Sequence, residues 1–113
     1  MAQASAYEVL LTQGAEEDLE SLYDYMTVHR SPEKAEALLD ALAGKVETLE
    51  AFSTRGTVPK ELAALGIREF RQLLHAPYRI VYKIVDGMVF VVLIADGRRD
   101  MRALLEQRLL GGG

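Results

Sequence analysis

The sequence lacks several residue types and patterns, and each absence excludes a class of protein. It has no cysteine, which suits a reducing cytoplasm and excludes disulfide bonds and thiolate metal sites. Its two histidines, His29 and His75, are too far apart to predict a metal site, and we expect no metal or cofactor. The longest apolar run, Met88–Ala95, is far shorter than the ~20 residues that span a membrane. Residues 1–6 lack the features of a secretory signal, so we expect a soluble, cytoplasmic protein.

At 113 residues, half of them apolar, the chain has room for one domain with a hydrophobic core of its own. We expect a single domain over residues 1–113, with disordered tails at 1–6 and 111–113. The net charge of −4 hides an asymmetry, because residues 1–50 hold eleven acids and three bases whereas residues 51–113 hold six acids and ten bases. This distribution predicts a basic face on an acidic body.

The first half of the sequence predicts a strand followed by a helical hairpin. Residues Tyr7–Leu11 predict a short strand, which a loop at residues 12–14 closes. Apolar side chains at helical spacing predict a helix over residues 15–29. The pair Ser31-Pro32 is typical of a helix start, so we predict a second helix to about residue 51 that lies antiparallel to the first.

The second half of the sequence predicts three strands and a last helix. The predicted elements are one helical turn at Glu61–Leu65 and strands at Ile67–Leu74, Tyr78–Val85 and Met88–Ala95. Asp86 and Gly87 predict a hairpin turn, and the wholly apolar third strand predicts a central position covered on both faces. Asp100 is a candidate N-cap for a helix over residues 102–110. The order β-α-α-β-β-β-α predicts an α+β fold in which a helical hairpin packs on a small, mainly antiparallel sheet.

Most basic residues of the second half fall on or beside the predicted strands. The candidates for binding a target are Arg68, Arg71, Arg79, Lys83, Arg98, Arg99 and Arg102. Arg79 has an alternative role, because on a strand it can pair with a carboxylate such as Glu69 across the sheet. Arg98 and Arg99 are adjacent, so one of the two must point away from the core. For the exposed arginine, we favour a contact with a binding partner over an ion pair at a helix end, since exposed ion pairs stabilise by only ~0–1 kcal/mol.

The order of these motifs resembles a known family. A helical hairpin is followed by Gly66–Arg71, then by Tyr78–Tyr82, and finally by an apolar strand that leads into Gly97–Asp100. This arrangement resembles the RelE/ParE superfamily of type II toxin-antitoxin toxins over nearly the whole chain, residues 7–109. The resemblance implies a compact toxin that is held inactive by a cognate antitoxin encoded beside it.

The superfamily has two branches with different activities. The RelE branch consists of ribosome-dependent messenger-RNA endonucleases that cut with basic residues and usually a tyrosine, whereas the ParE branch inhibits DNA gyrase and has no known hydrolytic site. Carried onto this sequence, the RelE set matches at Arg79 and Arg99. Its two strand lysines fall on Phe70 and Gln72 and its tyrosine on Leu105, and none of these three side chains can transfer a proton.

The missing proton-transfer residues favour the ParE branch, because arginine stabilises charge but is a poor proton shuttle. We predict a gyrase inhibitor without catalytic residues that causes growth arrest and forms an oligomeric complex with its antitoxin. One alternative is a ribosome-dependent endonuclease that acts on messenger RNA through Arg79 and Arg99. Its unconventional acid or base would be Tyr82, His75 or Asp96. Another alternative is an inactivated member that acts only as a binding module.

Overall fold

Four strands and four helices make up the part of the chain that the computed structural model describes, residues 6–111. Residues 1–5 and 112–113, where we expected disordered tails, lie outside the described residues. In chain order the elements are β1 (Glu8–Leu11), α1 (Gln13–His29), α2 (Pro32–Glu47), α3 (Lys60–Ala63), β2 (Phe70–His75), β3 (Tyr78–Val85), β4 (Met88–Asp96) and α4 (Met101–Leu105). A 3₁₀ turn, Thr48–Glu50, extends α2, and a π-helical segment, Glu106–Gly111, extends α4. No helix among residues 6–111 is long and apolar enough to cross a membrane.

The strands form one sheet in the order β1-β4-β3-β2, in which β1 is parallel to β4 and the other neighbours are antiparallel. Helices α1 and α2 pack on one face, where Leu42 and Val46 join the core. Helices α3 and α4 cover the other face, where Leu62 and Met101 join it. The predicted α+β fold and the predicted central position of the apolar strand are confirmed.

Each helix of the hairpin begins at a side-chain cap. The N–H of Ala15 donates to Thr12 Oγ1 at 3.2 Å, and the N–H of Lys34 donates to Ser31 Oγ at 3.1 Å. Each bond satisfies a backbone donor that the first helical turn leaves free. The predicted loop at residues 12–14 is wrong, because Thr12 is the cap and Gly14 already lies inside α1.

Strand β2 begins at Phe70, three residues later than predicted, because residues 64–67 close α3 instead. The N–H of Ile67 donates to Leu62 O and that of Gly66 to Ala63 O, both at 2.9 Å. Gly66 has φ +79°, which is the left-handed conformation that ends many helices and that glycine adopts without strain. The sequence Gly66-Ile67 is therefore a helix end rather than a strand start.

The outer edge of β2 is covered by the loop that precedes α3. Thr57 exchanges backbone hydrogen bonds with Gln72, of 3.1 and 2.7 Å. The hydroxyl of Tyr82, which is fully buried, donates to Ser53 O at 2.7 Å and accepts from the N–H of Gly56 at 3.0 Å. A Cβ on Gly56 would lie 2.7 Å from that hydroxyl, so the close approach requires glycine. In the strand order β2 is an edge strand, and the loop pairs with it at Gln72.

Strand β4 extends beyond its neighbour β1. The two strands pair only as far as Val91, and Val92 is an additional residue that shifts the register with β3. Beyond Val91, none of the described strands lies beside β4 on that side. Two side chains take the place of a strand there. Asp18 accepts from the N–H of Ile94 at 2.9 Å, and Arg108 donates to Val92 O at 2.9 Å.

Asp18 and Arg108 also bind each other through two hydrogen bonds of 3.0 Å. These bonds to Asp18 raise the pKa of Arg108 above its ordinary value. Gly14 makes room for the arginine, since a Cβ at that position would lie 2.9 Å from Arg108 Nη1. The pair therefore joins α1, β4 and the C-terminal segment at one point.

Substitution of Asp18 by asparagine should lower the free energy of unfolding by about 1–3 kcal/mol, because Arg108 then loses its charged partner in a partly buried site. Denaturation in urea measures this loss. Arg102→Ala is the matched control, since it breaks an exposed pair with Glu106 and should cost no more than about 0.5 kcal/mol. Equal losses in the two variants would contradict the role we assign to Asp18.

Candidate functional site

Arg79, near the start of β3, is an internal residue with 8% exposure. Its Nη1 and Nη2 donate to the two carboxylate oxygens of Glu61 at 2.9 and 2.7 Å, and its Nε donates to Gln72 Oε1 at 2.7 Å. Pairing with a carboxylate, such as Glu69 across the sheet, was one of the two roles considered for Arg79, and the structure has a carboxylate pair, but the partner is Glu61 and not Glu69. Alternation along β3 turns Arg79 toward α3, which carries Glu61, whereas Glu69 is exposed ahead of β2.

Gly97, the first residue of the Gly97–Asp100 motif, packs against the aliphatic part of Arg79. A Cβ on Gly97 would lie 2.7 Å from Arg79 Cδ and 3.1 Å from Pro77 O. Its N–H donates to the same Pro77 oxygen at 2.7 Å. Gly97 therefore allows the chain after β4 to lie close to Pro77 and Arg79. At the end of the motif, Asp100 accepts from the N–H of Ala103 at 3.1 Å, which confirms the predicted cap of α4.

The positions that the resemblance assigns to RelE-type catalysis lie mainly on the α3/α4 face of the sheet. Phe70 and Leu105 are buried there in one apolar cluster, and Gln72 is hydrogen-bonded to Arg79. Only Arg99 of this set is exposed, beyond the end of β4. The α3/α4 face thus contains an apolar core and the Arg79–Glu61 ion pair, in which the two charges neutralise each other.

The other predicted target-binding residues are dispersed. Arg71 donates to Gly56 O at 2.8 Å and so holds the loop over β2. Lys83 lies over the ring of Phe70, 5.6 Å from its centroid, as a cation–π pair. Arg68 is exposed in the segment before β2, and Arg102 pairs with Glu106 within the last helical turns.

The residues considered as an unconventional acid or base do not form one cluster. Tyr82 is fully buried, and desolvation raises its pKa. His75 lies opposite Tyr78, which in turn lies opposite Asp96, so two strand spacings, roughly 10 Å, separate His75 from Asp96. Arg98 binds the Asp96 carboxylate at 2.6 and 3.0 Å and lowers its pKa.

A groove of about 500 Å³ lies between the C-terminal half of α1 and the end of β4. Apolar side chains of Leu22, Met26, Ile94 and Ala95 line part of it, and the polar and aromatic lining includes Tyr25, His29, Arg30, Tyr78, Asp96, Arg98 and Arg99. The structure thus brings Arg98 and Arg99 next to the end of α1, on the sheet face opposite Arg79.

Three residues of this groove, Tyr25, His29 and Arg30, were not among the predicted site residues. All three are exposed at the end of α1, outside its apolar stripe. The rings of Tyr25 and His29 are stacked, with centroids 4.2 Å apart at an angle of 33°. The four-residue spacing of Tyr25 and His29 places both rings on one side of a helix, and it was the only signal in the sequence that indicated this aromatic pair.

The Arg79–Glu61 pair is expected to be a major structural contact, because both side chains are largely buried. Glu61→Gln leaves a buried arginine without its counter-charge and should lower the free energy of unfolding by about 3 kcal/mol. Asp96→Asn, which affects the exposed Arg98 pair, should change it much less. Similar values for the two variants, measured in guanidinium chloride, would argue against this assignment.

The same pair predicts a pH dependence. Hydrogen bonds from Arg79 lower the pKa of Glu61. The stabilisation from a lowered carboxyl pKa is fully present above the pKa of an unfolded-chain glutamate, and it is lost as the pH falls through the lower folded-state pKa. Wild type should therefore lose more stability than Glu61→Gln between about pH 7 and pH 3. Parallel unfolding curves at both pH values provide the measurement, and equal losses would contradict it.

Comparison with known proteins identifies relatives in sequence and in fold. A family profile described as the ParE toxin of the type II toxin-antitoxin system parDE matches residues 9–101. The chromosomal ParDE system from P. aeruginosa aligns with a TM-score of 0.69 at 20% identity, over 82% of this chain and 98% of that chain. The RelBE2 toxin-antitoxin complex from Mycobacterium tuberculosis gives a TM-score of 0.54 at 20% identity, over 83% and 94%. No curated protein sequence matches the chain.

The two solved structures share the fold with this protein, and the sequence match extends from β1 to the start of α4. It includes the helical hairpin and the Gly97–Asp100 motif on which the resemblance depends. The chain belongs to the ParE toxin family of type II toxin-antitoxin systems.

Proposed function

We propose that this toxin inhibits DNA gyrase in the cytoplasm without a catalytic site of its own. The observation that supports this most is the α3/α4 face of the sheet. Phe70 and Leu105 stand there at positions where RelE-type chemistry requires a lysine and a tyrosine. Arg79, which would stabilise charge on a cleaved phosphate, is already neutralised by Glu61.

Cleavage of RNA by its own 2′-hydroxyl needs a base for the hydroxyl, an acid for the leaving oxygen and stabilisation of the phosphorane charge. Proton-transfer groups contribute about 10²–10⁴-fold. Buried apolar side chains cannot provide them, and an arginine bound to a carboxylate adds little net charge to the face. These side chains therefore favour a toxin that binds its target over one that cleaves RNA.

The exposed arginines provide the proposed contact with the target. Arg68, Arg98, Arg99 and Arg102 have exposed side chains, whereas Arg71, Arg79 and Lys83 hold parts of the fold. Arginine is enriched among the residues that dominate binding energy at interfaces. We assign the main contact to Arg98 and Arg99, since they are adjacent on a loop that Gly97 and the Asp100 cap position.

A cognate antitoxin is the proposed regulator of the toxin. The two solved neighbours are, by their names, a ParDE toxin-antitoxin system and a RelBE2 toxin-antitoxin complex. A partner of this kind would form an oligomeric complex with the toxin and would prevent growth arrest.

A supercoiling assay tests the proposed target. Purified toxin should lower the ATP-dependent supercoiling of relaxed plasmid by gyrase, and the antitoxin should restore it. Replacing Arg98 and Arg99 together by alanine should weaken inhibition roughly tenfold or more, because charge-assisted contacts are lost. Lys60→Ala is the matched control, as it removes an exposed cation from α3 without touching this loop.

Normal supercoiling at toxin excess would refute gyrase inhibition. Codon-specific cuts in ribosome-bound messenger RNA, abolished by Arg99→Ala, would identify the endonuclease alternative instead. Unaffected growth during expression without antitoxin would identify an inactivated binding module.

A further inference from the structure

The groove between α1 and the end of β4 combines positive charge with an exposed aromatic surface. We propose that it binds one nucleotide unit, with the phosphate on Arg30 and Arg99 and the base on the stacked Tyr25–His29 pair. This site goes beyond gyrase inhibition and does not depend on it.

Two of the arginines that line the groove have no carboxylate partner in the described part of the chain and can bind an anion. Its lining contains three arginines and two aspartates. Arg98 neutralises Asp96, and Arg108, which reaches in from the C-terminal segment, neutralises Asp18. Arg30 and Arg99 form no ion pair with any residue in the range 6–111.

The backbone holds both of these arginines in place. The N–H of Arg30 donates to Met26 O at 2.8 Å as the last turn of α1 closes, and the N–H of Arg99 donates to Asp96 O at 3.1 Å. These bonds fix the main chain of Arg30 at the end of α1 and that of Arg99 just beyond β4, and both residues line the groove. A guanidinium group matches the geometry of phosphate oxygens and can donate two parallel hydrogen bonds.

The aromatic part of the groove provides a surface for the base. Tyr25 is 61% exposed although it is a large ring, and His29 stacks against it. Tyr78 and the apolar side chains of Leu22 and Met26 also line the groove. Bases stack on aromatic side chains in single-strand-binding proteins irrespective of sequence, because every base has a π-face.

The size of the groove limits the ligand. A volume of about 500 Å³ lies within the range of small-ligand sites and admits a single nucleotide but not a duplex. Of its residues, Arg99 matches the RelE set, and Asp96 was considered as an unconventional acid or base. An acidic peptide could also pair with the arginines, but a nucleotide uses both features of the groove, since its phosphate suits the arginines and its base suits the exposed rings.

Binding measurements on the full chain test the site. The probes are AMP, followed by calorimetry, and labelled single strands of about ten nucleotides of DNA or RNA, followed by fluorescence anisotropy. Arg30→Ala and Arg99→Ala should each weaken binding roughly tenfold, since each removes a charge-assisted phosphate contact. Tyr25→Ala should weaken it by a similar factor through loss of stacking.

Two matched controls show that these effects are local. Lys60→Ala removes an exposed cation, and Phe52→Ala removes a ring with 65% exposure, and both residues lie outside the groove. Both controls should bind as wild type does. Thermal unfolding of every variant shows whether a loss of binding reflects a loss of fold.

The two kinds of probe distinguish the source of the nucleotide. Equal affinity for AMP and the strands assigns the site to a free nucleotide, whereas tighter strand binding that weakens steeply with salt assigns it to a nucleic-acid strand. The proposal fails if no probe binds saturably, or if the arginine variants bind as wild type does. It also fails if a glutamate-rich peptide binds in an arginine-dependent manner and the nucleotides do not.

Discussion

The arrangement of the whole protein depends on β4, because both faces and both edges of this strand must be satisfied at once. Its apolar side chains require cover on each face, which the α1–α2 hairpin and the α3–α4 pair provide. Its backbone has a strand partner on the β1 side only as far as Val91. A backbone group left unpaired in the interior costs about 1–3 kcal/mol. Asp18 and Arg108 satisfy the backbone beyond that point and thereby set the positions of α1 and the C-terminal segment.

The same architecture divides the basic residues that the charge distribution led us to expect on one face. Alternation along β3 buries Arg79, and burial of a cation requires a carboxylate, here Glu61. Arg71 and Lys83 also contact their own chain. Arg98 and Arg99 stay exposed because they follow the end of a strand, where the chain leaves the core, although Arg98 also binds Asp96. The cationic surface is therefore smaller than the composition indicates, and Arg98 and Arg99 form an adjacent pair of exposed cations at one end of the sheet.

The separation of buried from exposed basic residues connects the fold to the proposed activity. The sheet face at which a related nuclease would cut is filled by core side chains and a closed ion pair. Arg98 and Arg99 instead adjoin a groove with exposed aromatic rings. Such a surface can bind a protein, or a nucleotide in the groove, whereas Phe70 and Leu105 on the α3/α4 face cannot transfer protons. Family membership and local chemistry thus favour the same kind of toxin.

The sequence by itself determined the order and type of the elements, the helix caps at Ser31 and Asp100, and the family. These features depend on local spacing and on residue types that act within a few positions of one another. Only the tertiary structure decided that Glu61 rather than Glu69 pairs with Arg79, and that the end of α1 meets Arg98 and Arg99. These contacts join residues far apart in the chain. Their geometry depends on the Val92 bulge and on packing against the sheet, which sequence periodicity does not encode.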